Sequence, residues 1–204
     1  MGRLVEADRV AISTYLEAWD GVSSGVGTLE AGLRDARVTM AHGNALWLAT
    51  LGYLVVAEQV GKFVARPNTS FPRGGSEACF LAGVREFAPR RVGPRAATGL
   101  YGLRCSLAHE YGTRNVPLSA NKEARLFVLA QDGPLIKHAR VKWDRTPTGA
   151  RRATMRTRVN VRAVGDLVES IVDNLRREHA VGAVWIAPKR TAEELMLFAR
   201  FRIG

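Results

Sequence analysis

Residues 45–57 read ALWLATLGYLVVA. The run is apolar on every side of a helical wheel, which places a helix at the centre of a packed bundle rather than on its surface. It is shorter than the roughly 18 to 20 residues that a membrane-spanning helix needs, so it predicts a buried core helix and no membrane span. The helix that contains it extends from about Leu29 or Ala36 to Val64, and Arg66-Pro67 closes it.

The pattern on either side is also helical. From Arg3 to Trp19, the residues Leu4, Ala7, Ala11, Tyr15, Ala18 and Trp19 recur at helical spacing, and the stretch GVSSGVG at 21–27 ends that helix. After a Pro/Gly loop at 68–75, Ser76-Glu77 opens a short helix that runs to Phe87 and stops at Pro89. Pro94 suits the first turn of the next helix, which continues to about Tyr111 with Gly112 as its stop and Leu100, Leu103 and Leu107 as its core stripe.

From Arg125 the period changes. RLFVLAQDGPLIKHARVKW holds two short apolar runs around Asp132-Gly133, a hairpin signal, and a third strand is expected around Thr157 to Val161. A helix from Val161 to Arg177 then carries Val164, Leu167, Val168, Ile171, Val172 and Leu175 on one face, and the tail holds VWIAP and a short helix from Thr191 to Phe201. The fold class is mainly α, an up-and-down helical bundle with a small antiparallel β-hairpin insertion. Residues 1–122 form the bundle, 123–161 the basic hairpin and loop, and 162–204 the helices that complete the same domain.

The chain has 204 residues, 47% of them hydrophobic and 24% charged, enough for a real core and against a disordered chain. Its 30 Lys and Arg against 19 Asp and Glu give a formal charge of +11. The excess is local. Residues 1–61 carry 4 bases and 7 acids, whereas 62–162 carry 20 bases and 6 acids, and from Lys137 to Arg162 nine bases accompany one acid, Asp144. An acidic partner follows, and nucleic acid is the most common one. Lys137, Arg140, Lys142, Arg151, Arg152, Arg156 and Arg158 are the candidate nucleic-acid-binding residues, with a plain solvated face as the other reading of the same pattern.

Two cysteines, Cys79 and Cys105, are too few for a disulfide framework or a zinc site, and the four histidines are scattered. No metal and no cofactor is expected. The N-terminal MGRLVEADRVAIS lacks an apolar signal core, so a cytoplasmic protein with reduced thiols is expected. The patterns GxxxxGK[ST], HExxH and GxGxxG do not occur.

What remains for chemistry is YGLRCSLAHEYG, residues 101–112, in which Arg104 and His109 lie five apart. On a straight helix that spacing separates them by about 140°. They converge only through a distorted helix end, a swing of the long arginine side chain, or a surface supplied by a second subunit. Tyr101 and Cys105 share the face of His109, Glu110 follows it, and Tyr111 lies seven residues from Arg104. A structural role for the same residues pairs Arg104 with a carboxylate such as Glu58 or Glu110 and lets His109 satisfy a carbonyl.

The spacing, with FLAGVREFAP at 80–89 and ATGLYGLRCSLAHE at 97–110, resembles the R-x4-6-H motif of HEPN domains and in particular small bacterial HEPN-like proteins. The same spacing occurs at Arg37 and His42 but without those flanks, so context and not spacing singles out Arg104 and His109. The resemblance covers about residues 36–112. It implies a HEPN-like bundle, a homodimer with a composite site, and metal-independent cleavage of RNA by attack of the ribose 2′-OH on the adjacent phosphate. It also implies His109 and Arg104 as catalytic residues, Tyr101, Cys105, Glu110 and Tyr111 in support, and a setting of stress or phage defence with a possible protein partner or antitoxin. Active members commonly have a polar residue directly after the arginine; here it is Cys105, a weak hydrogen-bond donor. The other function classes the sequence admits are a non-catalytic nucleic-acid-binding module and a helical protein-interaction subunit.

Overall fold

The computed structural model describes residues 6–16, 25–43, 45–66, 75–90, 92–110, 112–117, 123–187, 190–197 and 200–202. The first half runs α1 (Glu6–Leu16), β1 (Gly25–Gly27), α2 (Thr28–Ala41), α3 (Leu46–Phe63), β2 (Val64–Ala65), α4 (Ser76–Phe87) and α5 (Pro94–His109). The second half runs β3 (Arg114–Asn115), β4 (Arg125–Ala130), β5 (Ile136–Lys137), the single turn α6 (Pro147–Ala150), β6 (Arg156–Asn160), α7 (Val161–Ala180), β7 (Trp185–Ile186), α8 (Ala192–Leu197) and β8 (Arg200–Arg202). The described part is mostly helical with a small sheet, and no helix among the described residues is long and apolar enough to cross a membrane.

The apolar run lies in α3, which packs against α2, α4, α5 and α7. Tyr53, Leu54, Ala57, Val60 and Phe63 of α3 join Leu33, Phe80, Phe87, Leu100, Leu103, Leu107, Ile171 and Leu175 in one buried apolar cluster, which also takes in Phe127 of β4 and Val159 of β6. Each of these large side chains contributes about 1.5 to 3 kcal/mol by leaving water. The closest approach is between α3 and α4. A Cβ placed on Gly61 would lie 1.9 Å from the Cys79 carbonyl oxygen, and one on Gly83 would lie 2.3 Å from that of Ala57. Only glycine lets these two backbones touch.

Two readings of the sequence are corrected here. The helix expected from Leu29 or Ala36 to Val64 is two helices, because Gly43 takes a left-handed φ of 70° between them and turns the chain back on itself. The segment around Asp132-Gly133 does turn, with Gly133 at φ 85°, but β4 and β5 do not pair into a hairpin. Strand β6 lies between them: the order is β3-β4-β6-β5, with β4 parallel and β5 antiparallel to β6. The turn is tied instead to the end of β6, where the Asn160 N–H donates to the Leu135 carbonyl and its side chain to the Gly133 carbonyl, so the ladder is filled by a strand from later in the chain. The small sheet is therefore mixed rather than an antiparallel hairpin.

Other boundaries follow local chemistry. Helix α4 ends before Ala88, whose extended backbone is that of a residue preceding proline. Pro94 stands in the first turn of α5. The Asn160 side chain accepts from the Arg162 and Ala163 N–H groups and so caps α7, while its Nδ2 donates to the Gly133 carbonyl at 2.6 Å. In α8 the predicted start is kept, since Thr191 and Glu194 exchange side-chain-to-backbone bonds as a capping box, but the helix ends by Leu197 and the chain enters β8. Strand β8 pairs with β1, so Gly25–Gly27, within the stretch read as a helix-ending loop, is a short strand. Of the first helix, Leu4, Ala18 and Trp19 lie outside the described residues.

Candidate functional site

Helix α5 positions the motif. Leu100, Leu103 and Leu107 bury one face completely, which fixes the rotation of the helix and turns Arg104 toward α3. There its Nε lies 2.8 Å from Oε2 of Glu58, with the two side chains 16% and 6% exposed. The N–H vector misses the oxygen, so the contact is an ion pair at close range without a linear hydrogen bond. Glu58 is the carboxylate partner that the sequence offered alongside Glu110. Glu110 itself is exposed and ends the helix, its N–H donating to the Ser106 carbonyl at 3.0 Å.

The 140° divergence between Arg104 and His109 is closed within one chain. With Nε held by Glu58, the far end of the guanidinium swings toward the helix terminus, and Nη1 reaches to 3.5 Å from Nε2 of His109, which is exposed. The terminus is held by Ser106, a residue the motif reading did not single out. Its buried hydroxyl lies 2.6 Å from the Arg114 carbonyl of β3 and 3.2 Å from that of Gly102. A buried serine in a helix that leads into a strand was the available signal.

Around this pair, Tyr101 packs on Phe80 with ring centroids 5.8 Å apart and is hydrogen-bonded to the Cys105 thiol. Burial, and then that bond, push the phenol above its ordinary range. Cys79, on α4, is also held high, by burial and by the charge of Glu58. Both thiols are free. Tyr111 lies outside the described residues. The second sequence match is put to other use: Arg37 is spanned by Glu30 and Glu169, and the His42 ring contacts the Val38 carbonyl at 2.7 Å.

The basic residues are gathered elsewhere. Along β4 and β6, Phe127, Thr157 and Val159 face inward, and Phe127 reaches Gly102 of α5. Arg156 and Arg158 alternate to the outer face, where Lys137 stands across from Arg158. With Arg140, Val128, His138, Ala153 and Thr154 they line a groove of about 410 Å³. Arg158 is ion-paired with exposed Asp132, and Arg156 Nε donates to the Ala150 carbonyl at 3.0 Å. Lys142 lines a second cleft with Arg95, Arg125 and His138, of about 10 Å³, room for one water, which adjoins the groove at His138. Arg151 and Arg152 are exposed and outside both linings. His138 is held below the usual imidazole range by burial and by the charges of Arg95 and Arg125.

Of the seven candidate nucleic-acid-binding residues, the fold thus brings Lys137, Arg140, Arg156 and Arg158 together and leaves Lys142, Arg151 and Arg152 apart. Neither Arg104 nor His109 is in the groove lining: Arg156 and Arg158 point to the face of β6 opposite Thr157 and Val159, and His138 alone of the lining reaches α5, at Gly99. No protein-family model, no curated protein and no solved structure matches the chain.

Proposed function

We propose that this chain is a metal-independent endoribonuclease of the HEPN type, with RNA as substrate and a second copy of the chain completing the site. The observation that supports this reading is the convergence of Arg104 Nη1 and His109 Nε2 to 3.5 Å at an exposed helix end. One imidazole is suited to take the proton of a ribose 2′-OH as it attacks the adjacent phosphate, and a second, protonated imidazole to supply a proton to the departing 5′-oxygen. A guanidinium beside it stays charged and offers a planar fork to the phosphoryl oxygens, where negative charge grows in the transition state.

Glu58 acts as the positioning residue. It fixes Nε, which leaves Nη1 and Nη2 to face the reacting phosphate. Two such pairs across a twofold axis would make one cleft with two histidines, the arrangement that acid and base roles require. Cys105 makes the residue after the arginine a partner of Tyr101 rather than a donor to substrate.

The test is incubation of the purified chain with single-stranded RNA in EDTA, with the products examined for 2′,3′-cyclic phosphate ends. Cleavage should fall about 10²- to 10⁴-fold in His109→Ala, the range for loss of a general acid-base group. Unchanged cleavage in a folded His109→Ala protein refutes the assignment.

A further inference from the structure

The outer-face groove is a second, independent feature. We infer that it is a docking site for the sugar-phosphate backbone of single-stranded RNA, separate from the Arg104/His109 pair. This shares with the proposed ribonuclease only the class of ligand and does not rest on cleavage.

Three observations carry it. First, Lys137 and Arg158 are direct cross-strand partners on the exposed face of β5 and β6. Like charges placed side by side on a sheet oppose folding, and a bridging polyanion turns that cost into binding. Asp132 offsets part of the charge of Arg158, but its side chain is 80% exposed, so a phosphate can exchange with it. Second, Arg156 stands two residues from Arg158 on the same face, a step of about 7 Å along the strand. That step matches an extended nucleic-acid strand, which repeats its phosphates at a similar interval, and Arg140 extends the row beyond the sheet. Third, the lining between the cations is Val128, Ala153 and Thr154, with His138 the one ring. A site built of cations on a small-residue floor grips the backbone and has little with which to stack or read bases, so it binds without regard to sequence.

The experiment uses the full chain carrying His109→Ala, so that binding is read whether or not the protein cleaves. Fluorescence anisotropy with a labelled 20-nucleotide oligo(U) is followed from 50 to 200 mM salt. Four phosphate contacts give a slope of about −2.8 in log affinity against log salt, a loss of about 50-fold over that range. The double variant Lys137→Gln/Arg140→Gln should reduce the slope to about −1.4, a loss of about 7-fold. Lys142→Gln/Arg151→Gln removes equal charge outside the groove and should leave the slope near −2.8.

Equal losses in the two doubles would mean diffuse attraction to a basic protein and would overturn the site. So would tighter binding to a duplex of the same length, or equal binding to poly-glutamate or to phosphatidylserine vesicles. Circular dichroism of each variant confirms that the sheet is retained. If His109→Ala leaves cleavage unchanged while the groove variants lose binding, the ribonuclease assignment fails and the docking site stands.

Discussion

The pairing of Glu58 with Arg104 can be measured by a double-mutant cycle. The two side chains are 6% and 16% exposed and 2.8 Å apart, so each neutralises a charge that the surrounding helices shield from water. Removing one partner of a buried ion pair costs about 3 to 5 kcal/mol, because the other is left uncompensated. Arg104→Ala strands the deeper group, and about 4 kcal/mol is expected. Glu58→Ala strands a guanidinium that already reaches the surface at His109, and about 2 to 3 kcal/mol is expected. The double variant leaves no charge unpaired and should cost about 4 kcal/mol, which sets a coupling of about 2 to 3 kcal/mol. Urea unfolding of the four proteins at pH 7 reads these values directly. For a chain of this size Arg104→Ala should also lower Tm by about 8 to 16 °C. Additivity of the two single substitutions within 0.5 kcal/mol would refute the pairing, and with it the account of how Nη1 comes to face His109.

Other expectations concern the frame that holds the site. Gly61→Ala forces a methyl group into the Cys79 carbonyl and should destabilise by about 3 kcal/mol or more in urea, since the obstacle is backbone and cannot turn aside; a loss under 1 kcal/mol would show that α3 and α4 separate freely. Asn160→Ala removes the cap of α7 and the bond to the Gly133 carbonyl together, so about 2 kcal/mol is expected, against about 1 kcal/mol for the cap alone. His138 and His179 are both held below the ordinary imidazole range, the first by burial and then Arg95 and Arg125, the second by burial and then Arg9. The unfolded chain then binds these protons more readily, so their contribution is full above about pH 6.5 and is lost as pH falls through the depressed folded values. The urea midpoint should drop between pH 7.5 and 5, and His138→Gln/His179→Gln should flatten that drop; an unaltered profile in the double variant would sink the assignment.

Much of the helical frame is legible without coordinates. Phe87 and Pro94 mark helix ends where the structure has them, because a following proline and proline in a first turn act on the backbone within a few residues; Ser76 is also the first residue of α4, although Gly75 is its N-cap and no side chain caps it. The stripe of Leu100, Leu103 and Leu107 is buried as its spacing requires. Glu58 was recognisable as a carboxylate in an apolar helix that needs a cation. Illegible features were those that depend on a distant segment. The split at Gly43 is a local feature of another kind: His42-Gly43-Asn44 interrupts the apolar pattern, and the left-handed φ of Gly43 shows that the helix stops there rather than running through.

What the sequence by itself determined is local: helical periods, their caps, the confinement of the +11 charge to the middle of the chain, and the one flanked arginine–histidine spacing. Only the tertiary structure decided which of those residues meet. Strand β6 entered between β4 and β5, and by the alternation of side chains along a strand this sent Arg156 and Arg158 to the face opposite Thr157 and Val159. Packing of α5 on α3 in turn placed Arg104 against Glu58 and bent its free end onto His109. Spacing along the chain sets angles on a single element, whereas contact between elements depends on which buried faces fit together, and that is settled by the whole core at once.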